Sequence, residues 1–162
     1  MTELVDLVDA QGHVRKTGVP RSTQIPGLHL QIVIVVVFNN DGKLLVQRRA
    51  TPPAVGSYDH ISGAIGSGEA PEAAAKRETL EETGVSLSGL WLAAAGVNEY
   101  ARYRYLYCGT AHSGEARLHP RENLWVGYRS VYELANEHRQ VPEQFVDGFF
   151  NDLRRIEAAS RL

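Results

Sequence analysis

Three glutamates stand close together in the run Arg77-Glu78-Thr79-Leu80-Glu81-Glu82-Thr83-Gly84-Val85, at i, i+3 and i+4. On a helix, at about 100° per residue, they share one face within an arc of roughly 100°. Like charges at that spacing destabilise a helix by roughly 0.2–0.5 kcal/mol per pair, and acids in a last turn oppose the negative end of the helix dipole by roughly 0.3–1 kcal/mol. Local stability does not select such a ridge. A divalent cation reverses both penalties, because hard oxygen ligands clustered on a rigid element suit Mg²⁺, with Mn²⁺ as a substitute; both ions keep some waters and bridge to phosphate. For the helix taken alone, a solvated face with Lys76 and Arg77 offsetting the acids is the competing reading. The preceding segment changes the balance. Gly63, Gly66 and Gly68 allow close backbone approach, so carbonyls or amides can be aimed at a metal or a phosphate.

The ridge needs a helix, and one is expected from Pro71 to Thr83, rich in Ala, Glu, Lys and Leu, opened by proline and stopped before Gly84. Upstream, Leu30 to Phe38 reads LQIVIVVVF, apolar on both alternating faces as in a central strand covered on both sides, and Asn39-Asn40-Asp41-Gly42 turns it into a strand ending at Gln47-Arg48-Arg49. Residues 4–18 read as two short strands about Asp9-Ala10-Gln11-Gly12, and the prolines of the connector 20–27 prevent regular structure. Residues 1–27 are thus an expected strand arm ahead of a domain over 28–162, and a projecting arm would add to a partner's sheet edge and make a homodimer. A Pro/Gly-rich stretch covers 52–69. Further strands are expected near 89–97, 101–109 and 124–128, with helices over Ser130–Arg139 and Pro142–Ala158.

The length, 162 residues, suits one core and leaves little room for a second. A formal charge of -2 supplies no broad basic field, so no nucleic-acid polymer is expected as partner and any anionic small molecule must be met by local features. Acids stand at the N-terminus where a signal peptide carries bases, and no apolar run is long enough to span a bilayer, so a cytoplasmic protein without membrane contact is expected. The only cysteine, Cys108, lies in an apolar run and reads as a buried, inert thiol.

From Gly63 to Val85 the sequence resembles the Nudix box, G-x5-E-x7-R-E-U-x-E-E-x-G-U with U aliphatic, through Gly63, Glu69, Arg77, Glu78, Glu81, Glu82 and Gly84. At ordinary residue frequencies those seven coincide by chance with a probability on the order of one in a million. Thr79 is the departure, standing at a U position. The resemblance implies an α/β/α sandwich around a mixed sheet, and a hydrolase that cleaves a diphosphate linkage in a small molecule, most often a nucleoside diphosphate joined to another group. It further implies that Glu78, Glu81 and Glu82 hold metal with the carbonyl of Ser62, that Gly63 lies against the substrate, and that Arg77 and Glu69 orient the acids and the loop. Glu78 and Glu122 are alternative bases for the attacking water. Arg48 and Arg49 point to opposite faces of their strand, and Arg49 is the one expected to meet substrate. Tyr58, Asp59 and His60, and Tyr100, Tyr103 and Tyr105, stand where they could line a pocket, with core or edge placement as the competing reading.

The N-terminal strands, Gln47-Arg48-Arg49 and Tyr58-Asp59-His60-Ile61-Ser62-Gly63 also resemble the isopentenyl diphosphate isomerase branch of the family. That branch has an essential cysteine just before the first glycine and a metal-binding histidine just after it; here they are Ser62 and Ala64. An isomerase is therefore the alternative enzyme, and a non-catalytic module that senses a nucleotide is the alternative outside catalysis.

Overall fold

The computed structural model describes residues 3–113 and 115–161. Among the described residues nine strands form a mixed sheet, and three α-helices cover it. The central strand β3 (His29–Phe38) runs parallel to β8 (Tyr103–Ser113), with Gln31 opposite Tyr103 and Phe38 opposite Thr110. β8 continues antiparallel to β7 (Ser86–Val97) through a tight turn in which Asn98 Oδ1 accepts from the amides of Tyr100 and Arg102, each at 3.0 Å.

The doubly apolar pattern of β3 is used on both faces. Val33, Val35 and Val37 pack with Ile65, Ala74, Ala75, Val85 and Tyr107 beneath α1 (Pro71–Thr83). Val36, with Ile34 and Phe38, packs with Leu134 of α2 (Val131–Gln140) and with Phe149 and Ile156 of α3 (Phe149–Ser160). The result is the layered α/β/α arrangement expected from the sequence. Among the described residues no helix is long and apolar enough to cross a membrane.

Asn39 closes the turn after β3, its side chain accepting from Asp41 and Lys43, but the pairing with β4 (Leu44–Arg49) lasts only from Val37–Leu45 to Phe38–Leu44. The strands then diverge. β6 (Ile61–Ala64) takes the place beside β3, while β4 pairs with β5 (Tyr58–Asp59) and β9 (Asn123–Arg129). The stretch 52–69 therefore contains two strands that its prolines and glycines conceal. The helix expected over Pro142–Ala158 is interrupted: a single 3-10 turn spans Pro142–Gln144, Phe145 is extended and buried against Tyr58, and Gly148 at φ 86° precedes α3.

The N-terminal pair does not project. β1 (Leu4–Val8) pairs with β2 (Val14–Pro20) and with β3, Leu7 opposite Leu30, and Val5, Leu7 and Val8 are buried. Asp6 ties it further, accepting from Ser67 Oγ at 2.6 Å and from the amides of Gly18 and Gly68 at 2.9 Å. Three buried apolar side chains cannot stand in solvent, so β1 is part of the sheet and β2 is its outer neighbour.

Candidate active site

Helix α1 begins with Pro71, whose fixed φ suits a first helical position, and stops at Gly84, left-handed at φ 72° with its amide donating to the Leu80 carbonyl. Ala74 and Ala75 bring it close to the sheet. Thr79 is fully buried, and its hydroxyl donates to the Ala75 carbonyl at 2.8 Å, so the one position that departs from the box packs without an unsatisfied polar atom.

The helix lies against β6 so closely that Gly63 has no room for a side chain. A Cβ there would stand 2.1 Å from Glu78 Cδ and 2.3 and 2.5 Å from its oxygens. The glycine is required by contact and not by backbone angle, since Gly63 is not among the residues with positive φ.

Arg77 organises the acids on either side. Its Nε and Nη2 donate to Glu69 Oε2 and Oε1 at 2.7 and 2.9 Å, Nη2 also to the Ala64 carbonyl at 3.0 Å, and Nη1 to Glu78 Oε1 at 2.8 Å and Glu81 Oε2 at 3.1 Å. All five guanidinium N–H groups are thus used, in the fork geometry that lysine cannot provide. Glu69 Oε1 also accepts from the Gly66 amide at 3.0 Å, and the Arg77 contact holds the Glu69 carboxyl below the usual range.

Glu82 is 7% exposed and sits at the centre of a polar network. Gln47 Nε2 donates to its Oε2 at 3.2 Å and to the His60 carbonyl at 3.1 Å; Asn123 Nδ2 donates to the Glu82 carbonyl at 2.8 Å and to Gln47 Oε1 at 3.1 Å. Gln47 and Asn123 were not picked out by sequence reasoning, although both are polar residues on strands whose neighbours Val46 and Leu124 are apolar. Burial pushes the Glu82 carboxyl up to about 9, reinforced by the charges of Glu78 and Glu122. Burial likewise raises Glu78 to about 7, against the pull of Arg77.

A cavity of about 620 Å³ lies over this cluster and is lined by Ser62, Gly63, Arg77, Glu78, Glu81, Glu82, Glu122 and Arg49. Arg49 enters it with Nη1 on Asp59 Oδ2 and Nε on the Pro53 carbonyl, both at 2.8 Å. Arg48 turns away, donating to the Gly56 carbonyl and lying 4.2 Å over the Tyr58 ring. Among the described residues no three carboxylate, imidazole or thiol groups already stand as a ready coordination sphere. Glu78 and Glu81 are turned onto Arg77, and Glu82 onto Gln47. Even so, Glu78, Glu81, Glu82 and Glu122 line one cavity, and burial together with neighbouring acids raises the Glu78 and Glu82 carboxyls, a cost that a divalent cation would relieve.

The other residues considered lie outside this cavity. Tyr58 is buried among Phe145 and Trp125, and its hydroxyl accepts from Arg129. His60 is buried and stacked on Phe149 at 4.0 Å. Tyr103 and Tyr105 pack on each other at 5.2 Å, whereas Tyr100 is 64% exposed on the turn after β7. Cys108 belongs to the core beneath α2 and α3, where burial pushes its thiol up to about 11.

The NUDIX domain model matches residues 28–148. The isopentenyl-diphosphate Delta-isomerase of Streptomyces coelicolor is 35% identical over 157 residues, covering 85% of this chain and 76% of that protein. A putative 8-oxo-dGTP diphosphatase of Bacillus subtilis is 29% identical over 122 residues, covering 70% and 78%. Among solved structures, DR0079 from Deinococcus radiodurans superposes with a TM-score of 0.71 at 19% identity, over 98% of both chains. With Gly63, Arg77, Glu78, Glu81 and Glu82 of the box lining one cavity and three quarters of the chain matched, this protein belongs to the Nudix hydrolase family.

Proposed function

We propose that this protein hydrolyses a diphosphate linkage in a nucleoside diphosphate joined to another group, with Mg²⁺ or Mn²⁺ held by Glu78, Glu81, Glu82 and the carbonyl of Ser62. The observation that carries the reading is the pair of buried acids Glu78 and Glu82, which line one cavity with Glu81 and Glu122 and whose carboxyls are pushed up by burial and by neighbouring acids even with Arg77 on Glu78. A divalent ion bound there neutralises phosphoryl oxygens and makes the attacking water more acidic. Glu78 and Glu122 both line the cavity, and either can take the proton from that water. Arg77 holds Glu78 and Glu81 from one side while Glu69 fixes Arg77, so these two act through the acids they position. Arg49, fixed by Asp59, offers its remaining N–H groups to a phosphate. A screen of nucleoside diphosphate compounds for Mg²⁺-dependent hydrolysis tests the proposal. Glu82→Gln and Glu81→Gln should each lower turnover several hundredfold with an unchanged fold, and near wild-type turnover in both would refute it.

The isomerase-named relative supports a second reading, but the residues needed for it are missing. Ser62 and Ala64 flank Gly63, and the thiol of Cys108 lies in the opposite core. A hydroxyl at Ser62 lacks the acidity that a thiol brings to proton transfer at carbon. Proton exchange with isopentenyl diphosphate separates the readings, and robust isomerisation would replace the hydrolase proposal.

A further inference from the structure

A second cavity, of about 740 Å³, opens between the connector that follows β2 and the turn that joins β7 to β8. Arg21 and Arg102 line both this cavity and the acidic one, so the two meet at a pair of guanidinium groups. Their linings differ in charge. The acidic cavity is lined by Glu3, Glu78, Glu81, Glu82 and Glu122, whereas among the described residues no carboxylate lines the second.

We infer that the second cavity is the subsite for the nucleoside of the substrate, with Arg21 and Arg102 at its mouth holding the phosphate that stays attached to that nucleoside. The inference rests on the hydrolase reading for which bond is cut, but the binding itself does not. The volume falls in the range of small-molecule sites, roughly 300–1,000 Å³, and greatly exceeds what a bare phosphate needs. Thr23 and Gln24 supply hydrogen-bonding side chains in its wall, exposed Tyr100 an aromatic face, and Ile25 and Leu28 apolar contact, a combination that suits the base and sugar of a nucleoside. The arginines are available. Arg21 meets Glu3 at 3.2 Å, but the two side chains are 48% and 44% exposed, so a phosphate competes easily with that pair. Arg102 is exposed on a turn that is held in place: Asn98 Oδ1 accepts from its amide, and His29 Nδ1 donates to the neighbouring Ala101 carbonyl at 2.7 Å. Ala101 adopts φ 60°, a conformation uncommon for a residue with a side chain, and one that persists only where its surroundings fix it.

The experiment is a titration of isotope-labelled, metal-free protein with AMP, CMP, GMP and UMP, followed by amide chemical shifts. At least one should bind saturably with shifts concentrated in 21–30 and 98–102, and Arg21→Ala/Arg102→Ala should weaken it at least tenfold with the spectrum otherwise preserved. If that variant does not fold, Thr23→Trp, which fills the cavity from its wall, should abolish the same binding. No binding of any of the four, shifts confined to other surfaces, or unchanged affinity in the variants would overturn the inference. Binding at 21–30 and 98–102 in a protein that hydrolyses no nucleoside diphosphate compound would support the subsite and refute the hydrolase proposal.

Discussion

Gly63→Ala separates the fold from the proposed chemistry. Its added methyl carbon would lie 2.1 Å from Glu78 Cδ, well inside contact distance, so one of the two must move. The yielding group is the carboxylate, the free end of a flexible side chain, and clearing a normal carbon contact displaces it by more than about 1 Å. Little stability is lost. The backbone at Gly63 is not left-handed, so alanine fits its angles, and replacing a strand glycine recovers roughly 0.5–1 kcal/mol of chain entropy. Against this stands the Glu78 contact with Arg77 at 2.8 Å, with the arginine side chain 32% exposed, a pair contributing at most about 1 kcal/mol. The two nearly cancel, and since 1 kcal/mol moves a domain of this size by roughly 2–4 °C, Tm should stay within about 4 °C of wild type. Activity should not survive so well, because a displacement of about 1 Å in a reacting group costs on the order of 100-fold. The assay is Mg²⁺-dependent hydrolysis of a responsive diphosphate compound, measured for Gly63→Ala, Glu78→Ala and the double variant. If the methyl group acts only by displacing Glu78, the double variant loses no more than Glu78→Ala alone. Full additivity, retained activity or a Tm drop well beyond 4 °C would each show that Gly63 serves something other than the placement of Glu78.

The raised carboxyls of Glu78, about 7, and Glu82, about 9, make the folded state bind more protons than the unfolded chain above pH 4.5. Their contribution to stability is present below that pH and is lost as pH rises through 7 towards 9, so metal-free protein should melt progressively lower across this window; a flat or rising profile by calorimetry contradicts the burial of the pair. Since cation binding needs the ionised forms, Mg²⁺ affinity by titration calorimetry should strengthen over the same range, by up to about tenfold per pH unit for each proton released, and pH-independent affinity would remove these two acids from the metal site. Asn123→Ala leaves the Glu82 carbonyl and Gln47 Oε1 without their donor, so stability in urea should fall by roughly 1–3 kcal/mol; no change would mean the network contributes nothing. Arg77→Lys keeps the charge but not the fork on Glu69, and metal affinity should drop by roughly 10–100-fold, with wild-type affinity counting against a positioning role.

The ridge of Glu78, Glu81 and Glu82 was legible because helical spacing is local: once Pro71 and Gly84 bound the helix, the shared face follows from the period alone. The burial of β3 on both faces was legible for a similar reason, since an unbroken run of Val and Ile admits few other placements. What could not be read depends on partners far apart in the chain. Gln47 gains its meaning only when β4 pairs with β9 and brings Asn123, 76 residues away in the chain, within 3.1 Å. The break at 145–148 is equally non-local, because Phe145 leaves the helical path to pack on Tyr58, a contact larger than the helix propensity it interrupts. The N-terminal strands show the same limit from the other side. The turn Asp9-Ala10-Gln11-Gly12 marks two short strands over 4–18, but only the burial of Val5, Leu7 and Val8 and the bonds from Asp6 to Ser67 and Gly68 decide that β1 belongs to its own sheet. Those bonds join the N-terminal strand to the glycine loop of the box, so the residues ahead of the matched domain help hold the loop that leads into the acidic helix. Removing β1 should therefore disturb the acidic cavity as well as the sheet edge, whereas an independent arm would leave the cavity as it is.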